Sequence, residues 1–235
     1  MDMKESRALW RRRRERGQSI VEFALMAPIL LILLSGLFEF GFLFTYYLAV
    51  LDSARNTARA FSDNTFSVTD SDPSCSTSKD FYRRAACEAV NELALEEPTI
   101  RLCLNGDAAP PCTGAYADED DVIISAFSVL REGGPAVVRF PAVAGEQGWA
   151  YDSDLRGYGQ GSARTGMHTS HFSSAQIMSM LEAGTPNTGY LLVEINYNYH
   201  QVLALPWFTQ FVGNPIKLHL YALWPLVSAE PTPTP

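Results

Sequence analysis

The chain has 235 residues, with 26 acidic against 18 basic side chains and a formal net charge of −8. That length suits one ordinary domain plus an appended segment. The total hides an asymmetry that excludes a uniformly acidic soluble protein: residues 1–17 carry seven Lys/Arg against Asp2, Glu5 and Glu15, a net of +4, and the remainder a net of −12.

Five arginines crowd into Arg11–Arg16, broken by Glu15, and from Phe23 to Leu51 the one charged residue is Glu39. A basic flank against an apolar run specifies a membrane orientation, with the N-terminus cytoplasmic and the bulk of the chain outside. A nucleic-acid role for the arginines is set aside, because they abut a membrane-length apolar stretch and the rest of the chain is acidic. At ~1.5 Å per residue, Phe23–Leu51 makes a helix of about 44 Å, longer than the ~30 Å hydrocarbon core, so it tilts or projects beyond the membrane. Asp52–Phe61 continues it, with Ala54, Ala58 and Phe61 on one stripe and Arg55 and Arg59 on another. The expectation is one long helix over roughly 19–61, its membrane part about 23–51 and its upper half packed on the soluble part. Pro28 costs about 3 kcal/mol inside a soluble helix and is tolerated more easily in lipid. Ser35, Gly36 and Gly41 allow close helix approach, although their spacing is not G-x-x-x-G.

Residues 62–229 form the expected extracytoplasmic domain. Asp63–Lys79, rich in Ser, Thr, Asp and Pro, reads as a loop. Asp80–Glu97 reads as an amphipathic helix on Phe81, Ala85, Val90, Leu93 and Ala94, stopped by Pro98. Strand-like runs follow at Thr99–Leu104, Asp121–Arg131 and Ala136–Phe140. Residues 145–171 are Gly-rich and polar, a long surface loop, and Ser173–Glu182 a short helix with Gly184 after it. Tyr190–His200 alternates well, with Leu192, Glu194, Asn196 and Asn198 on one side, and Lys217–Trp224 alternates less cleanly. Between them Leu203–Val212 is an apolar, aromatic connection: it either contacts a partner or membrane or caps the core. Glu230–Pro235 reads as a disordered Pro/Thr tail. The order of elements gives an α+β fold, a long transmembrane helix followed by an antiparallel sheet packed on helices.

Cys75, Cys87, Cys103 and Cys112 all fall on the outer side, and an even count there indicates two disulfides. Three pairings are possible; Cys75–Cys87 and Cys103–Cys112 are favoured because both loops are short. Zinc is disfavoured, since the spacings are not C-x2-C and no histidine lies near. His168 and His171 could offer two metal ligands, but no carboxylate stands at a recognisable spacing. His200 and His219 read as structural histidines in strands. Asp118–Asp121 lacks the alternating calcium-loop pattern, and Gly157–Gly166 lacks the phosphate-loop pattern. With no Gly-x-Ser-x-Gly elbow either, the expectation is a non-enzymatic protein with no cofactor.

The N-terminal pieces carry the specific signal. A basic leader, Gly17, four further residues, Glu22 and then an apolar helix resemble the prepilin peptidase signal of type IV pilins. Gly-Gln-Ser-Ile-Val-Glu-Phe-Ala-Leu-Met-Ala-Pro at 17–28, with Glu39-Phe-Gly41 later, resembles the N-terminal signature of TadE-like proteins, the pseudopilins of tight-adherence (Flp) pilus systems. The resemblance implies that a membrane prepilin peptidase cuts between Gly17 and Gln18 on the cytoplasmic side, removing residues 1–17. It implies that Glu22 of one subunit neutralises the new amine on Gln18 of a neighbour, because a carboxylate in a low-dielectric environment is costly unless paired. It further implies other pilins or pseudopilins, an assembly platform and membrane lipid as partners. Signal peptidase processing competes poorly: the apolar run is too long and Leu34–Glu39 offers no A-x-A site. A twin-arginine export signal lacks the residues expected after the arginine pair.

Glu39 lies deep in the apolar run, where an ionisable group is a functional candidate. It pairs with a basic group on a pilin or platform, or sits at the outer headgroup level, or stays protonated and hydrogen-bonded within its own bundle. The expected function is a minor pilin or pseudopilin acting in pilus assembly or in a related secretion apparatus. The alternative is a single-pass anchored binding domain that never enters a filament.

Overall fold

The computed structural model describes residues 3–64, 75, 80–96, 100–104, 112, 120–130, 137–139, 148–151, 169–181 and 188–226, with side chains of the first helix described from Ile20 and the backbone alone at 96 and 137–139. The tail at 230–235, the glycine-rich run 157–166, His168 and most of the loop 63–79 lie outside the described residues, as do Asp118 and Glu119 of the acidic run. In chain order the elements are α1 (Met3–Phe61), α2 (Phe81–Glu96), β1 (Asp121–Leu130), β2 (Val137–Arg139), β3 (Trp149–Ala150), α3 (Ser174–Met180), β4 (Thr188–Tyr199), α4 (Pro206–Val212) and β5 (Ile216–Leu226). They fall into two compact units, one of Met1–Phe44 with Gln201–Asn214, the other of Thr45–His200 with Pro215–Pro235. The expected boundary after residue 61 therefore differs from the packing, which assigns the connection between β4 and β5 to the same unit as the apolar part of α1.

In the first unit, α1 starts at Met3 rather than near residue 19. Residues 4–16 are mostly Lys, Glu, Ala, Leu and Arg, all strong helix formers, so nothing in the leader stops the helix. Pro28 is accommodated inside it. The connection Leu203–Val212, expected as irregular chain, contains the short helix α4. Pro206 occupies its first turn, where a fixed φ favours helix and the missing N–H costs nothing. Gly213, at φ 76°, closes it by donating its N–H to the Thr209 carbonyl.

The second unit holds an antiparallel sheet of order β2-β1-β4-β5, with the short β3 also pairing β1. Ile123 lies opposite Glu194 and Glu194 opposite Tyr221, which fixes the faces. On that face Phe127, Val129 and Leu192 pack with Ile177 of α3. Ser173 starts α3 with a capping box closed by Gln176. The opposite face buries Leu191, Val193, Ile195, Tyr197 and Tyr199; Tyr46 of α1 lies 6.1 Å from the Tyr197 ring and 5.2 Å from Tyr199.

The part of α1 beyond Thr45 packs on α2 through small residues. Ala54 and Ala58 of α1 and Ala85, Ala86 and Ala89 of α2 are fully buried. The close approach lets the Ser53 hydroxyl donate to the Ala89 carbonyl at 2.6 Å. Phe61 closes the seam edge-on against Phe81 at 5.7 Å. Burial, with Asp80 adding, pushes the Tyr82 phenol above its ordinary range, so it stays neutral in the core.

Two sequence expectations change. Ile100–Leu104 is buried chain outside the sheet, because its polar backbone is met elsewhere: Cys103 donates its N–H to the Asp120 carboxylate at 2.7 Å. Asp120 also accepts the backbone N–H of Asn198 at 2.8 Å, so one side chain replaces a strand partner. Within the expected surface loop 145–171, Trp149 and Ala150 form a buried strand. Cys75 bonds to Cys87 and Cys103 to Cys112, with Cα–Cα separations of 5.7 and 5.0 Å, the local pairing that the spacings favour.

Gly148 lets β3 reach β1. Its φ is 68°, and a Cβ there would collide with the Ser125 side chain and the Ile123 methyl. Gly148→Ala should destabilise the second unit by about 1–3 kcal/mol; thermal unfolding by circular dichroism checks this, with a lowered Tm expected.

Candidate functional site

The residues singled out by sequence do not converge on one cleft. Gly17 and Gln18 lie within the helical backbone of α1, their side chains outside the described residues. Glu22 is exposed on α1, among exposed Ile20, Val21, Phe23 and Leu25. Glu39 lies about 26 Å further along the helix axis at ~1.5 Å per residue, so the two carboxyl groups form separate sites.

Glu39 is 3% exposed, among neighbours on α1 that are mostly open. One side-chain oxygen accepts the backbone N–H of Val202 and the other that of Leu203, both at 2.8 Å. The sequence left three roles open for Glu39; in the structure its hydrogen-bond partners are backbone amides of the β4–β5 connection rather than groups of a helix bundle. The segment it grips is built for the purpose. Gln201 donates twice locally: its N–H to Asn214 Oδ1 at 3.2 Å and its side-chain amide to the Gly213 carbonyl at 2.6 Å. Ala204 takes a φ of 43°, a conformation that costs a residue with a Cβ roughly 1 kcal/mol. That turn follows directly on the two amides held by Glu39. Nothing local in the sequence identifies Val202 and Leu203 as partners, since any non-proline amide would serve; the readable half of the signal was a carboxyl group in an apolar helix.

A second constellation was missed. Glu194, fully buried on β4, accepts the Ser170 hydroxyl, the His171 backbone N–H at 2.9 Å and a hydrogen bond with His219 Nε2 at 2.9 Å. The His171 and His219 rings lie 3.9 Å apart, and the three side chains offer ligand atoms within 4.8 Å of one another. Two imidazoles and a carboxylate could hold a divalent cation with an open position. The carboxylate already receives hydroxyl, amide and imidazole, so the buried group is accounted for without an ion. The sequence paired His171 with His168, which is adjacent in sequence; the sheet instead brings together residues 171, 194 and 219.

An exposed apolar helix long enough to cross a membrane, continuing into an antiparallel sheet packed on helices, defines the class: a chain with the architecture of a single-helix-anchored α+β protein. Residues 17–59 match the family model described as TadE-like protein. The likeness is confined to that segment, which starts at Gly17 and ends within the last turn of α1. No curated protein and no solved structure matches the chain.

The grip on the loop is open to measurement. Glu39→Leu removes both acceptors, and a hydrogen bond to a carboxylate is worth about 1.5–3 kcal/mol. Amide hydrogen exchange at Val202 and Leu203 should therefore quicken roughly tenfold or more, with exchange in β1 and β4 unchanged.

Proposed function

We propose that the protein is a minor pilin or pseudopilin of a tight-adherence (Flp-type) pilus, or of a related secretion apparatus, and that it acts in assembly as a structural element rather than an enzyme. The observation that carries this reading is the TadE-like match over α1, which begins at Gly17 and contains Glu22. In this reading a prepilin peptidase removes the basic leader between Gly17 and Gln18. The N-terminus lies inside, and the sheet domain with its two disulfides lies outside.

The two carboxyl groups of the apolar helix then divide the labour. Glu22, on the open surface of α1, meets the freed amine of Gln18 on a neighbouring subunit. Glu39, engaged by its own chain, keeps residues 201–214 in place and influences assembly through them. Other pilins or pseudopilins and the assembly platform supply the remaining surfaces.

Mass spectrometry of protein purified from cells with an active prepilin peptidase should find Gln18 as the first residue. Glu22→Ala should leave the protein in the membrane and folded but reduce its co-purification with pilus components roughly tenfold or more, the loss of one buried charge pair. A mature chain beginning at Met1, with assembly unaffected by Glu22→Ala, would instead make this a tethered binding domain.

A further inference from the structure

We propose that the connection between β4 and β5, residues 202–212 including α4, is itself immersed in lipid, in the membrane leaflet farther from Glu22. The inference rests on α1 spanning a bilayer and not on the pilin reading. Its first ground is an exposed apolar surface among the described residues. Trp207 and Phe211, at i and i+4, share one face of α4 and are 44% and 87% exposed. Val212, Val202 and Leu203 extend that surface. No charged or histidine side chain occurs between His200 and Lys217. The surface belongs to the same compact unit as the exposed Leu34, Leu37, Phe38 and Phe40 of α1, so lipid that solvates one continues onto the other.

Depth is the second ground. Glu39 stands about 24 Å along α1 from Phe23, inside a hydrocarbon core of ~30 Å. The amides of Val202 and Leu203, hydrogen-bonded to it, share that depth. Trp207 next to such a point is the kind of side chain that favours the boundary between acyl chains and headgroups, and Phe211 adds apolar area that lipid would cover.

The backbone supplies the third. A segment in lipid must satisfy its polar groups internally, and five amides at or beside this one do so. Val202 and Leu203 donate to Glu39, Phe208 and Thr209 to the Leu205 carbonyl, and Gly213 to Thr209. The Thr209 hydroxyl turns back onto the Pro206 carbonyl. Pro206 and Pro215 bring no N–H at all. In water these amides would have solvent as an alternative. Under lipid, Glu39 is the acceptor that makes the turn possible, which explains why an apolar helix keeps a carboxyl group.

The test uses the full-length protein in vesicles of phosphatidylethanolamine and phosphatidylglycerol, with and without brominated acyl chains. The Trp207 signal is taken as the difference between the parent and Trp207→Phe. That signal should fall roughly twofold or more in brominated vesicles and resist aqueous iodide. Phe211→Asp should abolish the bromine quenching while leaving the near-ultraviolet circular dichroism of the sheet domain unchanged. Phe38→Trp, placed in the Trp207→Phe background, reports α1 independently. If Phe38→Trp is quenched by bromine and Trp207 is not, the inference is overturned: iodide quenching then means α4 faces water, and resistance to both quenchers means another protein covers it. If neither position is quenched, α1 does not span the bilayer and the inference falls with that premise.

Discussion

Two needs meet at Glu39. A carboxyl group within an apolar helix is stable only when its oxygens are engaged, and a chain reversal placed against such a helix has amides that need acceptors where water is scarce. Val202 and Leu203 give their N–H groups to the two oxygens of one side chain, so each side removes the other's desolvation cost. The strained backbone at Ala204, the proline-led turn of α4 and the local bonds of Gln201 all follow from holding those two amides in register. Without the acceptor, the reversal between β4 and β5 would have to find water, and the sixteen charge-free positions from Gln201 to Ile216 would lose their reason for being apolar.

The contrast with Glu22 separates two uses of the same residue type. Glu22 lies on an open face of α1, within the TadE-like segment and fifth after the proposed cut. Glu39 lies in the same segment but turns inward onto its own chain. One carboxyl group is open on the helix surface and the other is engaged by its own chain, and only their surroundings distinguish them.

Much of the architecture was legible because it is written in local patterns. The apolar stretch of α1 followed from the scarcity of charge after Glu22, and its buried stripe from Ala54, Ala58 and Phe61 at helical spacing, whereas its start at Met3 did not. β4 followed from strict alternation over Tyr190–His200, and α2 from its apolar positions before Pro98. What stayed hidden depends on neighbours distant in sequence. Ile100–Leu104 has the composition of a strand, yet Asp120 takes the place of a ladder partner. Trp149 and Ala150 lie in a glycine-rich stretch whose average reads as loop, and only the missing side chain of Gly148 lets them reach β1. α4 is seven residues long, too short for a helical period to register. The grouping of His171, Glu194 and His219, like the grip of Glu39 on Val202 and Leu203, is made by the sheet register and cannot be read from spacing.

The alanine seam between α1 and α2 has a mechanical consequence. A pull along α1 would be felt at this seam. Beyond Thr45 the two helices meet through small buried side chains, with the Ser53 hydroxyl latched onto the Ala89 carbonyl and Cys87 tying the second helix to Cys75. Such an arrangement is strained in shear, many contacts at once, rather than peeled open one contact at a time. It would let a small domain ride on a pulled helix without coming undone.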